Sequence, residues 1–155
     1  MGVTLGPSLL MVDDRASVSS GGGAGLTYSY GYSDAFNIIA EGGASLVDKG
    51  EINAKTLHNR PNTISSAAVG AAYVLDVLRY VPYAGLMVGG YVLGGGTLDK
   101  PLVLPGAQLA LGLDYKFNFT WSAGVGYRQH LFFTKVTTYP SYSTFFLRVE
   151  YAWGR

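Results

Sequence analysis

Hydrophobic residues alternate with small or polar residues along most of the chain, and this two-residue period constrains the fold more than any other feature. Successive side chains of a β-strand point to opposite faces, so the alternation predicts strands with one apolar face. Clusters of turn-forming residues divide the pattern into eight segments. The predicted strands cover residues 3–11, 23–32, 36–46, 63–75, 80–93, 103–117, 120–132 and 142–153.

The connections between these segments alternate strictly in length. Long, polar connections follow the odd-numbered strands, and connections of only a few residues follow the even-numbered ones. Barrels that cross an outer membrane have long loops on the outer side and short turns on the periplasmic side. The sequence therefore predicts an all-β fold: an eight-stranded antiparallel up-and-down transmembrane β-barrel. We expect residues 1–155 to form one domain with both termini on the periplasmic, short-turn side.

Composition excludes several other classes of protein. Hydrophobic residues make up 48% of the chain and charged residues only 14%, against about a quarter in a typical soluble domain. A net charge of +1 offers no electrostatic reason to bind nucleic acid. The absence of cysteine excludes disulfides and thiolate metal sites, and we expect no cofactor or metal. The first residues lack the pattern of a signal peptide, so an outer-membrane chain would be a mature form with an added Met.

A short repeat predicts a ring of aromatic residues at one membrane interface. Segments 25–28, 70–73, 112–115 and 148–151 occupy matching places in the even-numbered strands. Each ends in a tyrosine near a short turn or the chain end. The predicted girdle consists of Tyr28, Tyr73, Tyr115, Tyr151 and Trp153. Aromatic girdles are typical of both interfaces of membrane barrels, although strand ends of soluble sheets also carry tyrosines.

The two faces of the predicted strands differ sharply in size and polarity. In the last strand Leu147 and Val149 share one face, while Arg148 and Glu150 share the other. A soluble, lipocalin-like barrel would turn the large apolar face inward, but bulky aromatics would overfill an eight-stranded interior. The apolar face is therefore expected to meet lipid, with small, polar or charged residues inside.

Charged residues on the inward face form the main candidate site. Six of them are expected in the lumen: Glu41, Asp114, Lys116, Arg128, Arg148 and Glu150. Charges in a narrow, poorly hydrated lumen must be paired, since an isolated ion there costs several kcal/mol. We therefore expect a cross-strand network that plugs the barrel. A gate or a narrow conducting path is the alternative.

Several segments resemble the OmpA-like outer-membrane β-barrel superfamily. The similar segments are residues 73–85, 112–117, 121–128 and 145–153. The last of them looks like the terminal signal read by the barrel-assembly machinery, although that signal usually ends on its aromatic residue and here Gly154 and Arg155 follow. The resemblance implies a small barrel in the outer membrane of Gram-negative bacteria, in contact with outer-membrane lipid including lipopolysaccharide. It specifies a barrel and not an activity.

Some barrels of this size act on lipid A, so enzyme motifs have to be considered. Residues 127–130 resemble part of the lipid A deacylases, which place a serine two residues after the catalytic histidine. Here Phe132 follows His130 at that spacing, so no nucleophile lies beside the base. The second histidine, His58, lies in a long loop without a recognisable palmitoyltransferase motif. We therefore expect no enzyme.

The expected function is a structural scaffold or a surface-interaction protein acting through its extracellular loops on an envelope or external protein partner. The alternatives are a small transport barrel or narrow pore for small or hydrophobic solutes and, third, a lipid A-modifying enzyme.

Overall fold

The computed structural model describes residues 1–12, 17–48, 60–76 and 79–153, which form a closed barrel of eight antiparallel strands. The strands are β1 (Gly2–Val12), β2 (Ser17–Gly31), β3 (Phe36–Val47), β4 (Thr63–Val74), β5 (Tyr80–Gly94), β6 (Leu102–Lys116), β7 (Trp121–Phe132) and β8 (Ser141–Tyr151). No helix in this part of the chain is long and apolar enough to cross a membrane. The predicted fold class is confirmed.

Each strand pairs with its neighbours in sequence, and β8 returns to pair with β1. The closing register sets Val3 opposite Val149 and Leu5 opposite Leu147. In hydrocarbon, an open sheet edge would leave backbone donors and acceptors unpaired, at several kcal/mol each. Closure of the sheet removes both edges.

Strand β2 is longer than predicted and gives the main correction to the strand boundaries. The other seven strands begin and end within two residues of their predicted bounds, but β2 begins at Ser17 rather than at residue 23. Residues 17–22 pair with the second half of β1, from Val12 to Pro7. Gly21 packs so closely on β3 that a Cβ there would overlap the backbone oxygen of Leu46. The glycine run at 21–23 is therefore part of strand β2.

The outer face of the barrel is apolar, as the alternation predicts. Leu5 and Leu147 are each 65% exposed, and most other outward positions carry Val, Leu, Ile, Phe or small residues. An apolar surface that runs around the whole molecule far exceeds the patches found on soluble monomers. Hydrocarbon is the environment in which such a surface is stable.

The lumen is not uniformly polar, and here the prediction was wrong. Its long-loop end is filled by a cluster of buried apolar residues, which we call the apolar plug. Its members are Leu10, Val12, Val47, Ile64, Tyr91, Leu93, Leu104, Phe132, Tyr139 and Tyr142. Leu98 and Leu102, near the β5–β6 loop, pack against it. The large side chains that fill this end exclude water from the space beneath the loops.

Candidate functional site in the lumen

Below the apolar plug the lumen has two polar levels, which together hold five of the six predicted inward charges. The central level surrounds Glu41 on β3. The lower level, near the short turns, surrounds Asp114 on β6 and opens into a cavity that we call the vestibule. A layer of aromatic and apolar side chains separates the two levels.

Glu41 is the centre of the upper hydrogen-bond network. Arg128 donates to its Oε1 from Nη2 over 2.8 Å, and Thr27 donates to the same oxygen over 3.3 Å. Gln108 donates to Oε2 over 2.7 Å. Both side chains of the ion pair are only 11% exposed. Because β2, β3, β6 and β7 each contribute a member, the network ties opposite walls of the barrel together.

Arg128 is held by more than its carboxylate partner. Its guanidinium lies over the ring of Phe146, 3.8 Å from the centroid, in a cation–π contact. Its Nε makes no hydrogen bond with any described residue. A cavity of about 50 Å³ beside it is lined by Glu41, Ser45 and other polar residues together with small and apolar ones. That volume accommodates a few water molecules, which are the natural partners for the remaining donor.

His130 lies between the central network and the apolar plug. Its Nδ1 is 3.0 Å from the hydroxyl of Tyr91, and its Nε2 is 3.4 Å from that of Thr144. The imidazole is buried and packs against the ring of Tyr142. Phe132 belongs to the apolar plug. His130 and Phe132, which stand at the positions of the histidine and serine of the lipid A deacylases, therefore both face the lumen rather than the lipid.

Tyr83 and Phe146 form the layer that divides the central level from the vestibule. Two glycines on neighbouring strands make room for them. A Cβ on Gly112 would overlap the phenol of Tyr83, and one on Gly126 would overlap the ring of Phe146. Met87 packs with Tyr83 in the same buried cluster. These rings close the lumen at mid-height because the glycines allow them to cross it.

Asp114 and Arg148 form the main ion pair of the lower level. The guanidinium contacts both carboxylate oxygens, with Nε 3.3 Å from Oδ1. Glu150 lies 3.6 Å from Arg148 through Oε2, and its Oε1 accepts a 2.7 Å hydrogen bond from Ser29. Arg148 also stacks over the ring of Tyr83. The vestibule beneath these residues has a volume of about 900 Å³.

Lys116 lines the vestibule together with Asp114 and Arg148, but its ion pair is with a residue outside the predicted set. It pairs with Asp76 near the β4–β5 turn, where both side chains are about one-third exposed. The six residues that sequence analysis placed in one network are thus divided among three groups: one at Glu41, one at Asp114 and one at the rim. Four partners of these charges were not predicted, because an isolated polar residue on a strand does not reveal its cross-barrel partner. They are Asp76, Ser29, Thr27 and Gln108.

The predicted girdle residues lie on the outer face near the short turns, each beside a second aromatic residue. The pairs and their centroid separations are Tyr28–Trp153 at 6.1 Å, Phe36–Tyr73 at 5.3 Å, Tyr80–Tyr115 at 5.1 Å and Trp121–Tyr151 at 5.0 Å. The four-residue repeat does not include Phe36, Tyr80 and Trp121, so these partners were not predicted. They occupy strand starts directly opposite the repeat tyrosines.

No group of three or more His, Cys, Asp or Glu residues that could hold a metal occurs within the described ranges. His58, Gly154 and Arg155 lie outside those ranges, as do most residues of the first two long loops. The described part of the candidate site consists of ion pairs and hydrogen bonds.

The sequence matches no protein-family model and no curated protein sequence. Among solved structures, Neisserial surface protein A is similar, with a TM-score of 0.70, 14% identity and coverage of 98% of this chain and 96% of that one. The N-terminal β-barrel domain of Pseudomonas aeruginosa OprF has a TM-score of 0.60 at 14% identity, covering 97% and 96%. The outer membrane enzyme PagL has a TM-score of 0.54 at 12% identity, covering 96% and 97%.

These three structures include a surface protein and an enzyme, so the shared fold assigns no chemistry by itself. The likeness extends over nearly the whole of each chain. The chain therefore has the fold of the small eight-stranded outer-membrane β-barrels, which is the fold that the OmpA-like resemblance implies.

Proposed function

We propose that this chain is a non-catalytic integral protein of the bacterial outer membrane, with both termini in the periplasm. In this view it is a scaffold that presents its loops to an envelope or external protein partner. The apolar outer face and the aromatic pairs near the short turns support the location, because a membrane barrel needs an apolar band about 25 Å tall with girdles at its edges. Outer-membrane lipid, including lipopolysaccharide, and the barrel-assembly machinery during insertion are the other expected partners.

The observation that carries this proposal is the filling of the lumen. The apolar plug occupies the loop end, and Tyr83 and Phe146 cross the barrel at mid-height. Between them Glu41 has three hydrogen-bond donors, so its carboxylate is committed to structure. A lumen that is blocked at these levels fits a scaffold better than a pore.

The surroundings of His130 support a protein without enzyme activity. A general base needs access to its substrate and a nucleophile within hydrogen-bond reach. The imidazole is buried, and its two nitrogens face the hydroxyls of Tyr91 and Thr144 inside the barrel. A lipid substrate outside the barrel could not reach it.

The β5–β6 loop supports a role in presenting a surface. Gly95 and Gly96 both have positive φ, a conformation in which glycine avoids strain. Thr97 and Arg60 exchange hydrogen bonds between this loop and the segment before the neighbouring strand β4: the Thr97 amide donates to the Arg60 carbonyl over 2.9 Å, and the Arg60 amide donates to the Thr97 hydroxyl over 2.8 Å. A Cβ on Gly96 would overlap the Arg60 oxygen. A loop with fixed geometry loses little entropy when it binds a partner.

The test combines three measurements on the refolded chain. We expect a boiling-dependent shift on a denaturing gel, an insulating planar bilayer, and unchanged lipid A mass in cells that overproduce the protein. Steady conductance would contradict the filled-lumen scaffold, and a lipid A mass change that disappears in His130→Ala would contradict the non-catalytic role. Good solubility in plain buffer without a gel shift would contradict the membrane location.

A transport barrel remains the second candidate, and the vestibule favours it. The cavity of about 900 Å³ at the turn end is lined by charged side chains that a small polar solute can contact. For passage, the ion pair of Asp114 with Arg148 and the rings above it would have to separate. Conductance that rises in Arg148→Ala/Glu150→Ala relative to wild type would favour this candidate, whereas an insulating double variant would count against it.

A further inference from the structure

A hydrogen-bonded polar cluster lies on the lipid-facing side of β7 and β8, where the surface is otherwise apolar. It consists of Tyr127, Gln129, Ser141 and Ser143, and we call it the outer-face cluster. Ser143 donates to Gln129 Oε1 over 2.7 Å, and the Tyr127 hydroxyl donates to the same oxygen. Gln129 Nε2 donates to the hydroxyl oxygen of Ser141 over 2.8 Å. All four side chains are only partly buried.

The cluster leaves one strong donor without a partner. The Ser141 hydroxyl accepts from Gln129, but its own hydrogen has no acceptor among the described residues. In hydrocarbon an unpaired donor is costly, so this hydroxyl favours any acceptor that the surrounding lipid offers. At a membrane interface the acceptor at hand is the carbonyl oxygen of an acyl ester or amide.

The depth of the cluster matches that region of the lipid. Gln129 lies eight residues beyond Trp121 on β7, and Ser143 lies eight residues before Tyr151 on β8. Trp121 and Tyr151 belong to the aromatic pairs at the turn end. A rise of about 3.3 Å per residue and a tilt of about 40° place the cluster about 20 Å above them, close to the far edge of a band about 25 Å tall.

A lysine lies in the loop that joins the same two strands. Lys135 is exposed, and its ammonium makes no ion pair with a described residue. Its turn is fixed, because its carbonyl accepts hydrogen bonds from the amides of Thr138 and Tyr139 at 3.0 and 2.9 Å. Phe132 and Tyr139 anchor both sides of the loop in the apolar plug. Lys135 therefore lies in the loop beyond the cluster, on the side away from the hydrocarbon.

The surface below the cluster suits acyl chains. Val125, Phe145 and Leu147 continue the outward face of the two strands toward the turn end, and each is about half exposed or more. The order along the barrel wall is thus a cation, a hydroxyl donor and then an apolar strip. An anionic acylated lipid has its phosphate, its acyl carbonyls and its chains in the same order.

We propose that Lys135 and the outer-face cluster form a binding site for one molecule of lipopolysaccharide, the acylated phosphoglycolipid of the outer leaflet. A phosphate pairs with Lys135, an acyl carbonyl accepts the hydrogen of Ser141, and the chains lie on the strip of Val125, Phe145 and Leu147. This inference rests on the proposed outer-membrane location and orientation. It assigns a specific lipid contact to this wall of the barrel.

The test uses the full chain refolded in detergent with deep-rough lipopolysaccharide as the probe, and native mass spectrometry counts barrels that carry one bound molecule. We expect Ser141→Ala/Gln129→Leu to weaken binding roughly three- to tenfold, as expected for the loss of one or two hydrogen bonds. Lys135→Gln should weaken it by a similar factor and reduce its dependence on salt. Matched controls are Ser65→Ala, which removes another lipid-facing hydroxyl, and Lys100→Gln, which removes a loop cation elsewhere; both should bind as wild type.

Two results would contradict the proposed lipopolysaccharide site. Cluster variants that bind as tightly as wild type would overturn the site, and so would equal binding of phosphatidylglycerol by the wild-type barrel. Ser141→Ala alone, which removes one hydroxyl, covers the case in which the double variant fails to fold. The wild type and each variant are first checked for a boiling-dependent gel shift. Failure of the wild type to form a barrel would refute the proposed location. Failure of a folded wild-type barrel to bind lipopolysaccharide would refute only the site.

Discussion

The guanidinium of Arg148 lies 4.3 Å from the centroid of the Tyr83 ring while its nitrogens contact the carboxylate of Asp114. The arginine is thus covered on one side by an aromatic ring and neutralised at its edge. This arrangement forms the ceiling of the vestibule and separates it from the network around Glu41. It connects β5, β6 and β8, so it contributes both to closing the lumen and to joining the barrel walls.

Removal of one partner of this ion pair should destabilise the barrel strongly. Asp114→Ala leaves a buried guanidinium with a weaker partner in Glu150, and breaking a buried pair costs about 3–5 kcal/mol. The double variant Asp114→Ala/Arg148→Met should recover much of that loss, since the buried guanidinium is gone and Glu150 keeps the Ser29 hydroxyl and the amino terminus as partners. Urea unfolding in lipid vesicles measures both. Lys116→Gln at the exposed rim pair is the control, with an expected change of about 1 kcal/mol or less. An equal loss of unfolding free energy in Asp114→Ala, in the double variant and in Lys116→Gln would contradict the burial of the Asp114–Arg148 pair.

Gly112→Ala should destabilise the barrel by overpacking. The new Cβ would overlap the phenol of Tyr83, and forcing an extra methyl into a packed interior costs about 1–3 kcal/mol. Combining it with Tyr83→Leu should make the alanine better tolerated than in the wild-type background, and unfolding free energies measure this coupling. Gly90→Ala is the matched control on the outer face, since nothing lies within 4 Å of its Cβ position. A loss at residue 90 as large as that at residue 112 would speak against a filled lumen.

Two neighbouring residues of β6 should respond differently to truncation. Leu104 is buried in the apolar plug, whereas Val103 faces outward and is 68% exposed. Leu104→Ala leaves a cavity and should cost about 2–5 kcal/mol. Val103→Ala should cost about 1 kcal/mol or less, because lipid chains refill the space. The free energy of unfolding in vesicles distinguishes the two, and the reverse order would mean that the barrel faces are inverted.

The two tryptophans provide a test of membrane depth. Trp121 and Trp153 are the only tryptophans of the chain, and both lie in the aromatic pairs near the short turns. At a membrane interface their fluorescence should be quenched more by lipids brominated near the headgroup than by lipids brominated near the chain ends. Stronger quenching by deep bromines would place these residues near the bilayer centre and would exclude a girdle.

Local sequence features were sufficient to predict the strands and their faces. The two-residue period defines which side of each strand is apolar, and turn residues mark where strands end. Residues such as Leu147 and Arg148 could thus be assigned to opposite faces without any knowledge of their neighbours. The start of β2 escaped prediction, because residues 17–22 are mostly serine and glycine and become a strand only by pairing with β1.

Partners across the barrel could not be predicted in the same way. Glu41 and Arg128 are 87 residues apart, and the distance between them depends on the register of every strand in between and on the closure of β8 onto β1. The same long-range geometry pairs Lys116 with Asp76 and brings the residues of the apolar plug together. The sequence by itself determined which residues face the lumen, since that is a local property of each strand. Only the tertiary structure decided which of them meet. In a closed barrel, the register of all the strands sets both the height of each side chain along the barrel axis and its neighbours across the lumen.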